Sequence, residues 1–180
     1  WMYDVILSGG TALSVDSLVL ATPAYVSAEL VRPLTPIAGG LLELIPYAST
    51  ATIAMAYPRA SVSNAAEGFG FVVPRIEGRD LIAATWTSLK WPHRAPPDQL
   101  LARCYVGGVG RETILQLDDQ ALVARVREEL ADICGVTAEP VYVEVNRWTR
   151  AMPQYTLGHL ERLSQIEAAL SRYGGLVLTG

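Results

Sequence analysis

The chain has 180 residues, a formal net charge of −4 and 51% hydrophobic residues, while only 18% of its residues are charged. Soluble domains usually carry about 25% charged residues, so this chain is apolar for its size, and it is long enough to bury a sizeable core. The net charge excludes a basic protein that coats nucleic acid, and the apolar content argues against an acidic disordered tail. The excess of hydrophobic residues is the property that the fold and the function must explain.

The first 45 residues predict short strands followed by short helices. Residues 3–7 predict one strand, and residues 17–22 predict another, whose run Leu18-Val19-Leu20-Ala21 is typical of a fully buried strand. Pro23 ends that strand and stands where a helix over residues 24–30 can begin. Prolines and a Gly-Gly pair interrupt the next stretch, so only a short helix is predicted around residues 41–45.

The middle of the chain, about residues 46–148, predicts a sheet. Ile53, Met55 and Tyr57 share one face of a strand with a period of two, and small alanines alternate with them. The predicted strands cover residues 51–57, 68–74, 81–88, 100–107 and 141–148.

An amphipathic helix is predicted between the fourth and fifth of these strands. Its apolar residues recur at i, i+4, i+8 and i+11, and they are Leu122, Val126, Leu130 and Ile133. Asp118 or Asp119 can cap the start of the helix, and Gly135 is well placed to end it as the C′ residue.

A last helix is predicted over residues 157–173, and an apolar strand follows at 176–178. The residues expected on the buried face of this helix are Leu160, Leu163, Ile166 and Leu170. We therefore predict an α+β fold, a mixed and largely antiparallel five-stranded sheet with helices packed on one face. The apolar strands near the two ends look parallel, and no partner for them is predicted within the chain.

The two ends indicate a fragment cut from a larger α/β enzyme. Removal of an initiator methionine requires a small second residue, which Trp1 is not, and an apolar strand such as 176–178 needs neighbours on both faces. The sequence shows no secretory signal and no apolar run of about 18 residues that would span a membrane. Cys104 and Cys134 are isolated and are predicted to be reduced core thiols of a cytosolic protein.

The chain offers little acid-base or nucleophilic chemistry. His93 and His159 lie far apart without a second ligand nearby, so no metal site is expected, and no GxSxG nucleophile motif is present. The pair Asp118-Asp119 suits a helix N-terminus, and residues 107–110 are glycine-rich but lack the lysine of a P-loop. We therefore predict no catalytic side chain.

The unusual segment is Gly68-Phe69-Gly70-Phe71, which holds both phenylalanines of the protein. Glycine inside a strand often marks close approach of a ligand or of another backbone, and aromatic rings beside it can face a flat apolar ligand. The residues alone leave open a second interpretation, a bulged strand of the core. Trp148, between Arg147 and Arg150, is likewise open to interpretation as a core residue flanked by surface charges.

Three segments together resemble the protoporphyrinogen/coproporphyrinogen oxidases of the flavin-linked amine-oxidase superfamily. The first is LVLATPA at 18–24, which matches the superfamily. The second is GFGFVVP at 68–74 with the strand 81–88 and HRAP at 93–96, and the third is RW at 147–148 with AMPQY at 151–155 and GHLER at 158–162. The last two, in this order and spacing, resemble the oxidase family specifically.

The resemblance implies a six-electron oxidation of a porphyrinogen to a porphyrin, in which FAD takes hydride equivalents over three rounds and dioxygen reoxidises it. It implies that residues 1–25 are a remnant of an FAD-binding α/β domain, that 26–148 form the substrate-binding domain, and that 149–180 return to the FAD-binding domain. The end strands would then belong to that truncated domain.

The resemblance also implies roles for individual residues. The residues expected to line the substrate cavity are Phe69, Gly70, Val72, Ile82 and Thr85. Trp148 matches the aromatic residue that approaches FAD, and Thr22 lies at a strand end near the cofactor. His159 is expected to open the last helix rather than to act as a base.

Two departures limit what the chain alone can do. The GxGxxG dinucleotide motif is absent, and so is the glycine-rich segment that follows the last strand in the family, although these carry most FAD contacts. We therefore expect the chain alone to bind FAD poorly, to be inactive, and to self-associate through faces that the missing FAD-binding domain would cover. The choice between protoporphyrinogen and coproporphyrinogen stays open.

Other interpretations remain at this stage. The chain could belong to another flavin amine oxidase or to a desaturase-like oxidoreductase, which would share the ATPA turn but need not share GFGFVVP. It could also be a non-catalytic domain that binds apolar ligands or serves assembly. A cytoplasmic location is expected, with peripheral membrane attachment left open.

Overall fold

The computed structural model describes residues 1–62 and 68–179. Its contacts divide the chain into two units. Unit 1 comprises residues 1–47 and 153–180, and unit 2 comprises residues 48–152.

Unit 2 is built on the predicted five-stranded sheet. Its strands are β4 (Tyr47–Pro58), β5 (Gly70–Val72), β6 (Leu81–Trp86), β7 (Gln99–Gly107) and β8 (Tyr142–Pro153). Their order in the sheet is β5-β6-β7-β4-β8, and the β5–β6, β6–β7 and β7–β4 pairs are antiparallel, which confirms the predicted α+β class. Helix α3 (Thr87–Lys90) follows β6, and helix α4 (Asp119–Cys134) precedes β8.

Helix α4 forms as its sequence pattern predicts. The Asp118 carboxylate accepts a hydrogen bond of 2.8 Å from the Ala121 N–H and so caps the helix. Gly135 ends it in the left-handed conformation that glycine adopts without penalty. Leu122, Val126 and Leu130 are fully buried, and Ile133 packs against the same core while half-buried.

The core of unit 2 lies between α4 and one face of the sheet. Ile53, Met55 and Tyr57 point into it, as the alternation along β4 predicts. Burial of each such side chain contributes about 1.5–3 kcal/mol. Cys104 is buried in this core and Cys134 is half-buried at its margin, and both thiols are free. Burial raises the pKa of both thiols, which disfavours the reactive thiolate.

Unit 1 contains strands β1 (Tyr3–Ile6), β2 (Ala12–Val15), β3 (Leu18–Leu20) and β9 (Leu176–Leu178), with helices α1 (Ala24–Val31), α2 (Pro36–Glu43) and α5 (His159–Leu170). The expectation that the end strands lack a partner in the chain is wrong, because β3 pairs with β9, and this pair is parallel as predicted. The sequence analysis missed β2, a short and mostly exposed strand that pairs antiparallel with β1.

The predicted buried face of α5 is only half correct. Ile166 and Leu170 are buried in a core with Leu42 and other residues of unit 1, whereas Leu160 is 81% exposed and Leu163 is 37% exposed. Periodicity identifies an apolar stripe, but it does not say how much of the stripe is covered. In the described residues only the C-terminal half of α5 is packed.

The boundaries of several strands also differ from the prediction, and β4, for example, begins at Tyr47 rather than at residue 51. β6 ends at Trp86 rather than at residue 88, because the chain turns into α3. β8 continues to Pro153 rather than ending at Trp148. β5 covers only Gly70–Val72, although flanking hydrogen bonds from the Trp86 N–H to the Phe69 carbonyl and from the Val73 N–H to the Ile82 carbonyl, both 2.9 Å, extend the hairpin.

A buried carboxylate fixes the start of β6 against α4. Glu129 is 4% exposed, and its carboxylate accepts hydrogen bonds from the Asp80 N–H at 3.0 Å and the Leu81 N–H at 2.7 Å. The Arg125 guanidinium lies 3.5 Å from the same carboxylate. The two backbone donors would otherwise be buried without a partner, which is costly. Glu129 therefore holds the β5–β6 hairpin in place.

We predict that Glu129→Ala lowers the free energy of unfolding by about 1–3 kcal/mol, because two backbone N–H groups lose their acceptor. Glu129→Gln keeps one acceptor oxygen and should cost less. Urea unfolding monitored by tryptophan fluorescence measures both changes. The control is Glu128→Ala, an exposed neighbour on the same helix, with an expected change within about 0.5 kcal/mol. Equal effects of Glu129→Ala and Glu128→Ala would contradict the assigned role.

Candidate active site on the open face of the sheet

Alternation along the strands gives the five-stranded sheet two different faces. Cys104 is buried on the α4 side and pairs with Ala84 of β6 and Ile53 of β4, which are also buried. We call the opposite side the open face. Two cross-strand rows define it, and their members are Val72, Ala83, Tyr105 and Thr52 in one row and Gly70, Thr85, Arg103 and Ala54 in the other. All eight residues are exposed or half-buried.

Gly70, the second glycine of the GFGF segment, lies where no side chain would fit. Gly70 has a φ of 141°, and a Cβ at this position would lie 2.2 Å from the Ala84 carbonyl oxygen and 2.8 Å from the Thr85 Cα. Strands β5 and β6 therefore approach each other more closely than any side chain at residue 70 would permit. The result is a bare patch of backbone on the open face.

The two phenylalanines of this segment have different environments. The Phe71 ring packs edge-to-face on Trp86, with a centroid distance of 6.3 Å, and belongs to the margin of the core. Phe69 is 64% exposed. The core interpretation therefore applies to Phe71, whereas Phe69 is an exposed aromatic ring adjoining Gly70.

A β-bulge accounts for the position of Ile82. Leu81 pairs with Val106 and Ala83 pairs with Tyr105, so Ile82 is an extra residue in β6. Leu81 remains in the core while Ile82 is half-buried. The bulge interrupts the strict alternation of β6 immediately before Ala83 and Thr85, which lie on the open face.

Trp148 lies on the open face and not in the core. It is 51% exposed, and its indole Nε1–H donates a hydrogen bond of 3.3 Å to the Thr52 Oγ1 of β4. Its neighbour Arg147 donates to the backbone carbonyls of Leu115 and Leu117 and pairs with Asp119 at the start of α4. The hydrogen bond to Thr52 thus brings Trp148 to the same face as the predicted substrate residues Gly70, Val72 and Thr85.

Thr22, the second residue predicted to contact the cofactor, lies in unit 1. It follows the carboxyl end of β3, where ligands of parallel sheets usually bind. Its Oγ1 is 2.8 Å from the Ser27 Oγ, which also donates a hydrogen bond of 3.2 Å to the Thr22 carbonyl. The hydroxyl therefore stabilises the turn into α1.

Unit 1 also contains the start of α5 and a groove. The helix begins at His159, as expected, and the His159 ring lies against the Tyr155 ring with a centroid distance of 4.6 Å. A groove of about 490 Å³ runs along α5 and the residues 174–178. Its lining is mostly apolar, and its titratable residues are Glu167 and Tyr173.

The sequence analysis missed five residues of the open face, namely Thr52, Ala54, Ala83, Arg103 and Tyr105. Each alternates with core residues on an ordinary strand, so no local motif marks it. The signal that could have been noticed is Arg103, a charged residue between the apolar Ala102 and Cys104 in the middle of a strand. Only the pairing register shows that it lies beside Thr85 and Ala54.

No three histidine, cysteine or acidic side chains converge into a possible metal site within residues 1–62 and 68–179. In the same part of the chain, no helix combines the length and apolarity needed to cross a bilayer.

The family model for flavin-containing amine oxidoreductases matches residues 2–180, and the chain belongs to this family. The relatives that it matches include porphyrinogen oxidases. It is 36% identical over 179 residues to coproporphyrinogen III oxidase of Bacillus subtilis (strain 168), covering 99% of this chain and 38% of that protein. It is 29% identical over 182 residues to the chloroplastic protoporphyrinogen oxidase of Oryza sativa subsp. japonica, covering 96% of this chain and 34% of that protein.

Solved structures agree with this assignment. A crystal structure from Exiguobacterium sp. 255-15, provisionally described as a protoporphyrinogen oxidase, matches with a TM-score of 0.78 and 32% identity over 99% of this chain and 39% of that one. Reduced UDP-galactopyranose mutase matches with a TM-score of 0.72 at 14% identity, which shows the shared fold alone. The chain therefore spans less than two fifths of the length of these relatives.

We predict that Gly70→Ala separates β5 from β6, because its Cβ would overlap the Ala84 carbonyl oxygen. The expected loss of stability is about 1–3 kcal/mol, with faster hydrogen exchange at the Trp86 and Val73 amides that close the hairpin. The control is Gly78→Ala, which shares a positive φ but has no atom within 4 Å of its Cβ. If the two variants are equally stable, close strand approach is not what selects glycine at residue 70.

Proposed function

We propose that this chain forms the substrate-binding sheet of an FAD-dependent oxidase that converts a porphyrinogen to a porphyrin with dioxygen. The observation that carries the proposal is the convergence on one sheet face of Gly70, Val72, Thr85 and Trp148, with the exposed Phe69 adjoining. Gly70, Ala83, Thr85 and Ala54 are small and leave room on this face, around the longer side chains of Arg103 and Tyr105, for a macrocycle. The names of the relatives, coproporphyrinogen III oxidase and protoporphyrinogen oxidase, support the same substrate class.

The side chains of this chain would bind and orient the substrate. When FAD is bound, it supplies the redox chemistry by accepting hydride equivalents in three rounds, and dioxygen takes the electrons from it. None of the eight residues in the two open-face rows is a carboxylic acid or a histidine, which fits a reaction in which the cofactor performs the chemistry. Val72 and Ile82 would exclude water from the macrocycle, while Thr85 and Thr52 offer hydroxyl groups at its edge.

The residues present fit a part of an FAD site. Trp148 is exposed and held by Thr52, so it can contact the flavin ring from the open face. Thr22 stands at the carboxyl end of a parallel strand, a usual position for nucleotide contacts, although its hydroxyl already bonds Ser27. The sequence contains no GxGxxG turn for the pyrophosphate. We infer that most FAD contacts come from a domain that the relatives carry beyond the matched length.

In the whole protein, that FAD-binding domain would cover exposed apolar surface of this chain. In unit 1, Ile6, Val19 and Val177 are between 49% and 75% exposed, and in unit 2 the edge strand β8 exposes Val143 at 40%. Exposed apolar surface of this kind marks contact sites. Under this proposal, the chain has an excess of hydrophobic residues because the FAD-binding domain covers part of its surface. A cytoplasmic location, with peripheral membrane attachment left open, is part of the same proposal.

We predict that the chain binds coproporphyrin, a stable product, through the open face. Titration should shift the porphyrin absorbance, and Phe69→Ala should raise the dissociation constant about fivefold, as expected for loss of an aromatic contact worth about 1 kcal/mol. The control is Ile76→Ala, which removes a 92% exposed apolar side chain outside the two open-face rows.

Failure of the wild-type chain to bind porphyrin, or equal effects of the two variants, would contradict the proposal. The purified chain should also show no visible flavin absorption. Tightly bound flavin would contradict the inference that most of the FAD site lies outside this chain.

We predict that the isolated chain self-associates as its concentration rises, because its exposed apolar surface is then buried between copies. Light scattering measures the mass. Val143→Lys, which adds a charge to the β8 edge, should reduce the associated fraction. A strictly monomeric wild-type chain at high concentration would contradict this prediction.

A further inference from the structure

Arg103 occupies the centre of the open face. It lies on β7, the middle strand of the order β5-β6-β7-β4-β8, between the buried residues Ala102 and Cys104. Its cross-strand neighbours are Thr85 on β6 and Ala54 on β4. Beyond Thr85 the same row continues to Gly70, which has no side chain. A long cationic side chain therefore has small neighbours on the two adjoining strands, while Tyr105 lies two residues along its own strand on the same face.

Several other arginines form ion pairs or hydrogen bonds within the protein. Arg125 pairs with Asp80, Arg127 with Glu139 and Arg79 with Asp132. Arg111 donates to two backbone carbonyls. Arg103, by contrast, has neither an ion pair nor a hydrogen bond to any residue that the structure describes. Its five N–H donors are free to bind an external acceptor.

The chemistry of the free group indicates what it binds. A guanidinium presents a planar fork of donors that matches a carboxylate in a bidentate arrangement. None of the eight residues in the two open-face rows is acidic. On β8, Glu144 alternates with Trp148 and shares its side of the sheet, but the Glu144 carboxylate accepts hydrogen bonds from Tyr142 and Asn146 and forms no ion pair with Arg103. The occupant that complements this face has an apolar macrocyclic body and carries carboxylates on side arms, one of which can reach Arg103. Porphyrinogens have this distribution, because their propionates project from the edge of the macrocycle.

We propose that Arg103 binds a propionate carboxylate of the porphyrinogen and thereby fixes the orientation of the macrocycle on the open face. This inference rests on the proposed function and adds a specificity residue to it. Coproporphyrinogen carries more propionates than protoporphyrinogen, so Arg103 contributes to selection by carboxylate position rather than by apolar contact alone. The Phe69 contact acts on both substrates alike.

The test compares Arg103→Met, which removes the charge and keeps a long side chain, with Arg103→Lys, which keeps the charge and loses the fork. The probes are coproporphyrin and its neutral tetramethyl ester in the same non-ionic detergent. We expect Arg103→Met to weaken coproporphyrin binding on the order of tenfold or more, as for a lost charge-assisted hydrogen bond, and to leave ester binding unchanged. Arg103→Lys should fall between the wild type and Arg103→Met. Unchanged unfolding midpoints establish that the variants fold.

The outcomes separate this inference from the proposed function. If Arg103→Met binds coproporphyrin like the wild type while Phe69→Ala weakens both probes, the role of Arg103 is overturned and the proposed function stands. If Arg103→Met weakens the acid and the ester equally, the side chain does not act through a carboxylate, and the inference is again overturned. If the wild type binds neither probe, both proposals fail.

Discussion

The packing of α4 on one face of the five-stranded sheet is the constraint on which the rest of unit 2 depends. Because side chains alternate along a strand, burying Ile53, Cys104 and Ala84 against the helix commits their neighbours to the opposite face. Glu129 secures this arrangement by holding the first residues of β6 through two backbone hydrogen bonds. The open face is thus a direct consequence of how the core is built. Its side chains are not needed to fill the core, so they can be suited to binding a ligand.

Local patterns in the sequence were sufficient for most of the fold. The caps and apolar spacing of α4 and the alternation along β4 predict elements that the structure confirms, because these signals depend on neighbouring residues. Pairing between distant segments leaves no such signal, so the β3–β9 pair was missed. Leu160 was predicted to be buried but is exposed. Helical spacing shows which residues share a face, but it does not show whether another element packs against that face. The same reasoning explains the hydrophobic excess, part of which is exposed on both units.

The candidate site could be predicted only in part. The GFGF segment and the family resemblance predict Phe69, Gly70, Val72, Ile82 and Thr85 as substrate residues, and this stays a prediction. Strand pairing places Gly70, Val72 and Thr85 on one face, and the hydrogen bond to Thr52 places Trp148 on the same face. Arg103 and Tyr105 could not be found in the same way, because their relation to Gly70 exists only through strand pairing. The sequence shows that residue 70 is a glycine inside a predicted strand. Only the structure shows the reason, which is that a Cβ at this position would overlap the Ala84 carbonyl oxygen.

The central claim is that a porphyrin macrocycle lies on the open face of the sheet. Methyl NMR of the chain with bound coproporphyrin tests it directly, because the macrocycle has a strong ring current that shifts the resonances of methyl groups beneath it. The account predicts large upfield shifts for the methyl groups of Val72, Ile82, Ala83 and Ala54. The methyl groups of Val126 and Leu130, on the α4 side of the sheet, should move little. Shifts confined to the α4 side, or to unit 1, would contradict the account.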